Sequence, residues 1–105
     1  TRAGNLQSHM ALGYAIVRNA AIKVGVPEKL RQEIEHIILS HHGKLEYGAV
    51  VLPQTPEAMI VHAADMADAF IGMVATCERN SNGREFSDYI PAYGCNILLD
   101  RYQAQ

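Results

Sequence analysis

Between Thr55 and Glu78 the chain reads TPEAMIVHAADMADAFIGMVATCE, and its apolar residues fall at nearly every angle of a helix. Successive residues on an α-helix turn by about 100°. On that wheel Ile60, Val61, Met66, Phe70, Ile71, Met73 and Val74 cover almost the whole circumference. A helix that is apolar all round is a central one, so other helices are expected to surround it. Thr55 suits the N-cap, Pro56 the first helical position, and Glu57 the positive end of the helix dipole. The spacing therefore predicts a helix from about Pro56 to Glu78. Asp65 falls in its middle, flanked on its own face by Ala58, Val61, His62, Ala69 and Gly72. A carboxylate in such a place needs a partner, because burying an unpaired charge is very costly.

Two more segments read as helix. One runs from about Ser8 to Val24, with Gly25 as its stop signal. The other runs from about Pro27 to His42, with Gly43 at its end. A weaker fourth helix is expected over Asn96 to Tyr102. The connections, Gly43 to Gln54 and Asn80 to Gly94, are long for a compact bundle, and such loops often carry function. The second opens with NSNG, a turn signal. The expectation is an all-α helical bundle, one domain over residues 1–105, with long loops after the second and third helices.

Face assignment selects candidate residues. In the first helix His9, Gly13, Ile16, Ala20 and Val24 line up, which makes His9 the first member of an apolar stripe. In the second, Leu30, Ile34, Ile37 and His41 line up, so His41 ends the core-facing stripe and His42 is its neighbour. His36 points the other way, beside Lys29, Gln32 and Glu33, and reads as a solvent-facing residue of no special role. Imidazoles and carboxylates that meet in a helical core point to a metal. Each residue also has a plainer reading: the His as hydrogen-bonded core side chains, Asp65 as an ion-pair or cap partner.

Composition narrows the options. Apolar residues make up 49 % and charged residues 19 % of the 105, which suits a globular chain. No apolar run reaches the length of a membrane span, and no secretory signal is visible. Cys77 and Cys95 lack zinc-type spacing and read as reduced thiols of a cytoplasmic protein. The formal net charge is −2 and there is no basic stripe. If the substrate is a nucleic acid, most of the phosphate-tracking affinity must come from elsewhere.

SHHG followed by LEYG, a Pro-bearing loop, TPEA and then HAADMADA resembles the HD-domain phosphohydrolases. Within that superfamily the likeness is to bacterial 3′-to-5′ exoribonucleases of the YhaM type, and it covers roughly residues 4 to 75. The resemblance implies a helical fold with a binuclear divalent-metal site. It implies that His9, His41 and Asp65 are metal ligands, and that His42 is a ligand, a neighbour of the ligands or a phosphate contact. Asp65 would also orient the nucleophile, a water activated by the metals. Asp65, His42 and Lys44 are the catalytic candidates, with Lys44 meeting a phosphate and Tyr47 stacking on a base. Asp68 reads as a helix-surface or supporting residue, and His62 as a hydrogen-bond support for the ligands. The metal would be Mn²⁺, or else Fe, Co²⁺ or Zn²⁺.

One departure stands out. The superfamily's first His and its adjacent His-Asp pair have no counterpart, because no HD dipeptide occurs in the 105 residues. The expectation is a partial HD domain, its C-terminal portion, with weak metal occupancy and little activity alone. RNA or another phosphodiester would be the substrate of the full-length protein, with no membrane role and possible homo-oligomers. The alternatives are another HD hydrolase acting on nucleotides or cyclic dinucleotides, and a non-catalytic helical interaction module.

Overall fold

A computed structural model describes residues 1–103. It contains four α-helices: α1 (Arg2–Gln7), α2 (His9–Lys23), α3 (Glu28–Ser40) and α4 (Pro56–Arg79). A single 3₁₀ turn spans Leu45–Tyr47, and no β-strand occurs among the described residues. The all-α expectation therefore holds. The chain divides into two compact units, Thr1–Met66 and Ala67–Gln105.

In the first unit, α2 begins close to the expected start at Ser8, and α1 ahead of it is a helix that the sequence reading does not include. Ser8 separates them with φ 65° and ψ 147°, a backbone conformation that side-chain-bearing residues rarely adopt. Its hydroxyl accepts from Ala11 N at 3.1 Å and caps α2. Thr1 caps α1 in the same way, accepting from Gly4 N at 2.9 Å. At the far end of α2, Gly25 has φ 81°, Val26 N donates to Ala21 O, and Gly25 N donates to Ile22 O. This is the Schellman closure that the glycine predicts.

α2 packs against α1 and α3. Its buried side is Met10 and Ala21, with half-buried Gly13, Tyr14 and Val17 between them. Of the expected stripe His9, Gly13, Ile16, Ala20 and Val24, Gly13 is half-buried and the other four are exposed, Ile16 to 69 % and Val24 to 77 %. The helix is apolar on two sides, so periodicity cannot choose between them. Gly13, the stripe member nearest the contact, faces α3, where a Cβ would lie 3.9 Å from the Ile38 side chain.

α3 also departs from its expected stripe. Leu30 is exposed, and the most buried residues are polar: Glu35 and Ser40. Glu35 lies 3.5 Å from Arg18 of α2 and 3.3 Å from Arg31, and these pairs answer its charge. Removing one partner from such a buried group is costly, so Glu35 ties α3 to α2. Ser40 donates to His36 O at 2.7 Å, which satisfies its buried hydroxyl.

α4 spans Pro56–Arg79, close to the predicted bounds, and Thr55 caps it by accepting from Ala58 N at 3.1 Å. Its surroundings differ from expectation. Ala58 is its single buried residue, while Ile60, Phe70 and Ile71 are exposed. By length and composition alone, α4 could cross a membrane, contrary to the reading of the run from sequence.

In the second unit the expected helix over Asn96 to Tyr102 is absent. Leu98 in that stretch forms an isolated antiparallel bridge with Phe86, and Cys95 just ahead of it forms another with Ile90. Ser87 stabilises the pairing: its amide donates to Ile97 O and its hydroxyl accepts from Ile97 N. These contacts are non-local, so a short helical pattern loses to them. The NSNG turn forms as expected, with Asn82 and Gly83 at positive φ and Arg84 N donating to Ser81 O. Phe70 and Tyr93 meet edge to face at 4.3 Å between ring centroids. Both cysteines are free.

Candidate metal centre

The chain leaves α3 through a tight turn at His41–Gly43. Gly43 N donates to Ser40 O at 2.8 Å, and Gly43 itself has φ 78°. A glycine is needed there for two reasons. Positive φ disfavours any side chain. In addition, a Cβ at this position would run into the His62 ring. The turn therefore sits directly against α4.

His41 directs its Nδ1 at Ile38 O, 2.6 Å away. A carbonyl only accepts, so Nδ1 carries a hydrogen, and in the neutral ring the lone pair is on Nε2. Metal-binding imidazoles are set up in this way, with one nitrogen held by a carbonyl and the other free. His62 follows the same logic: its Nδ1 donates to His41 O at 2.8 Å.

His42 faces Asp65. Nδ1 of the ring lies 3.6 Å from Asp65 Oδ2, and the two side chains are 42 % and 47 % exposed. Asp65 is thus a half-exposed carboxylate, not the deeply buried one its place in an apolar helix suggests. A gap of 3.6 Å is too long for a hydrogen bond. It is a separation that two ligands, each about 2.1 Å from one ion, can span. The ring of His41 lies beside that of His42, with centroids 4.2 Å apart. The chemistry of the pair, one imidazole and one carboxylate open to solvent, fits a divalent ion.

The pair does not extend to a full ligand set. Among the described residues, no three His, Cys, Asp or Glu side chains come together as a metal-binding group. His9 is exposed at the start of α2, where its ring covers Gly4 of α1. A Cβ on Gly4 would lie 2.6 Å from His9 Cε1, so Gly4 makes room for that ring. The expected inward orientation of His9 is not observed, because the ring packs over Gly4 of α1, a helix absent from the sequence reading. Asp68 is exposed.

The loop after the turn is ordered by its own backbone. Tyr47 N and Ala49 N both donate to Lys44 O, and Val50 N reaches back to Leu39 O at 2.9 Å. Lys44 places Nζ 5.3 Å from the Tyr47 ring centroid, a cation–π arrangement on an exposed surface. His36 corrects its sequence reading. It is half-buried, and its Nε2 accepts from Gln54 N at 2.9 Å, which pins the end of the loop to α3. No local signal marks that contact, since the partners are 18 residues apart. The role of Gly43 against His62 has a visible signal, a glycine directly following the two His at a helix end.

The HD domain family model matches residues 1–69, which include His9, His41, His42 and Asp65. The chain is similar to the 3′-5′ exoribonuclease YhaM of Listeria welshimeri, with 32 % identity over 90 residues, covering 86 % of this chain and 29 % of that protein. It resembles the protein of the same name from Bacillus pumilus at 31 % identity over 87 residues, covering 83 % and 28 % respectively. The one from Bacillus licheniformis is 37 % identical over 71 residues, covering 68 % and 23 %. The chain thus spans less than a third of the length of these relatives. No solved structure matches it. With the family match covering residues 1–69 of 105, and with the SHHG turn and Asp65 inside it, this chain belongs to the HD domain family.

Proposed function

We propose that this chain is part of a divalent-metal-dependent phosphohydrolase that shortens RNA from its 3′ end. The observation that carries the reading is the His42–Asp65 pair, presented on two elements at a separation suited to a shared ion. The similarity to the 3′-5′ exoribonucleases YhaM supplies the substrate class. His42 and Asp65 hold the ion, and His41 offers its free Nε2 from the same turn. His9 is assigned to the ligand set on the family resemblance. A bound divalent ion would activate water and polarise a phosphoryl oxygen. Asp65 also orients the attacking water. Lys44 meets a phosphate oxygen, and the exposed Tyr47 ring stacks on a base. We assign Mn²⁺ as the ion, since oxygen and imidazole donors suit it.

In this reading the protein is cytoplasmic and does not enter a membrane. His62, Asp65 and Asp68 in mid-helix would make a bilayer an expensive place for α4. The exposed apolar faces of α2 and α4 favour a second reading as a helical interaction module, in which copies of the chain associate.

Metal binding by the 105-residue chain tests the proposal. Mn²⁺ is expected to bind weakly to the chain, and Asp65→Ala to abolish binding. Equal binding by the variant removes Asp65 from the site. The chain alone is expected to degrade RNA little or not at all. Robust Mn²⁺-dependent degradation by it would overturn the assignment of only part of the ligand set to these residues.

A further inference from the structure

His62 has no part in the pair just described, yet it touches the turn that carries His42 in two ways. Its Nδ1–H donates to the His41 carbonyl at 2.8 Å. Its ring fills the space beside Gly43 that a side chain would otherwise occupy, with Cε1 and Nε2 on that side. The edge of the ring that carries the other nitrogen thus faces the Gly43 backbone. His62 also precedes Asp65 by three residues on α4, about one helical turn. One side chain thus links the backbone that presents His42 to the helix that presents Asp65.

We infer that His62 is a positioning residue: it locks the His41–Gly43 turn onto α4 and so sets the spacing of His42 and Asp65. The inference rests on the reading of that pair as metal ligands. The lock works through the donated hydrogen bond, and the ring packing against Gly43 keeps water from competing for the carbonyl. Loss of the donor leaves the His41 carbonyl without this partner and lets His42 drift from Asp65. Groups that orient ligands from behind typically matter 10–100-fold in metal affinity.

Two variants separate the donor from the ring. His62→Phe keeps a ring beside Gly43 and removes the N–H. His62→Asn removes the ring and keeps an amide N–H near the place of Nδ1. The 105-residue chain, isotope-labelled, is titrated with Mn²⁺ while paramagnetic broadening of the His42 and Asp65 signals is followed by NMR. Amide hydrogen exchange at Gly43 is measured without metal. The Phe variant is expected to need roughly 10–100-fold more Mn²⁺ and to exchange faster at Gly43. The Asn variant, which keeps the donor but not the ring, is expected to lose clearly less than the Phe variant in both. A Phe variant that titrates like wild type overturns the proposal, as does an Asn variant that loses as much as Phe. If the wild-type chain shows no broadening at His42 and Asp65, the metal reading fails instead. The exchange arm then still judges the lock: unchanged Gly43 exchange in the Phe variant refutes it.

Discussion

Gly43 concentrates much of what is particular to this site in one residue. It adopts φ 78° and lies against the His62 ring, so an alanine there meets both a backbone and a steric penalty. The backbone term alone is about 1–2 kcal/mol. Gly43→Ala is expected to lower stability by at least about that much, read as a reduced midpoint in thermal melting. The same change should weaken Mn²⁺ binding, because it pushes the turn away from α4. A melting midpoint equal to wild type would show that the turn can move freely. At this scale the sequence was partly legible. His41, His42 and Asp65 could be singled out from helical spacing and from the SHHG and HAAD strings. The His36 contact with Gln54 could not, since nothing local links residues 18 apart. The exposure of Asp65 was also hidden, because it depends on what packs around α4 and not on the order of residues along it.

At the scale of elements, helix boundaries set by capping chemistry were the most readable. Thr55, Pro56 and Gly25 each act as their residue types suggest. The start of α2 at Ser8 is readable, but α1 before it and the positive φ of Ser8 are not, because serine gives no warning of such a backbone. The face of α2 is only partly legible: with apolar residues on two sides, packing against α3 decides, and of the expected stripe Gly13 lies at that contact. Ser8 offers a direct test of the strain at the α1–α2 junction. A side-chain-bearing residue in such a conformation costs about 1–3 kcal/mol, whereas exchanging a Ser cap for Gly costs only a few tenths. Ser8→Gly is therefore expected to stabilise the chain by roughly 1 kcal/mol, measured by urea unfolding. Ser8→Ala should do the opposite, because it loses the cap and keeps the strain. A less stable Gly variant would mean that the hydroxyl contributes more than the backbone releases.

At the scale of the whole molecule, many large apolar side chains are exposed among the described residues. Leu6, Ile16, Val24, Ile60 and Ile71 are all exposed, and the buried apolar residues are few and small. Such surface drives association or dye binding. The chain alone is expected to enhance the fluorescence of 1-anilinonaphthalene-8-sulfonate and to sediment faster as its concentration rises. A concentration-independent monomer that leaves the dye dark would argue that these faces are innocuous. The relatives are more than three times as long as the matched segment. The family was legible from short strings. The pattern of exposure was not, since periodicity reports which residues are apolar and not what covers them.

The anchoring of the loop to α3 has a consequence for how the chain tolerates changes in length. Val50 is held to Leu39 and Gln54 to His36, so both ends of the short run between them are pinned. An extra residue at Val51–Pro53 can bulge into solvent without moving either pin. Past Gln54 there is no such slack. Thr55 caps α4 at once, and an insertion between Pro56 and Asp65 would swing Asp65 by about 100° around the helix axis, away from His42. Insertions and deletions are therefore permitted just ahead of Gln54 and forbidden just after it, and that boundary separates spacer from machinery along the chain.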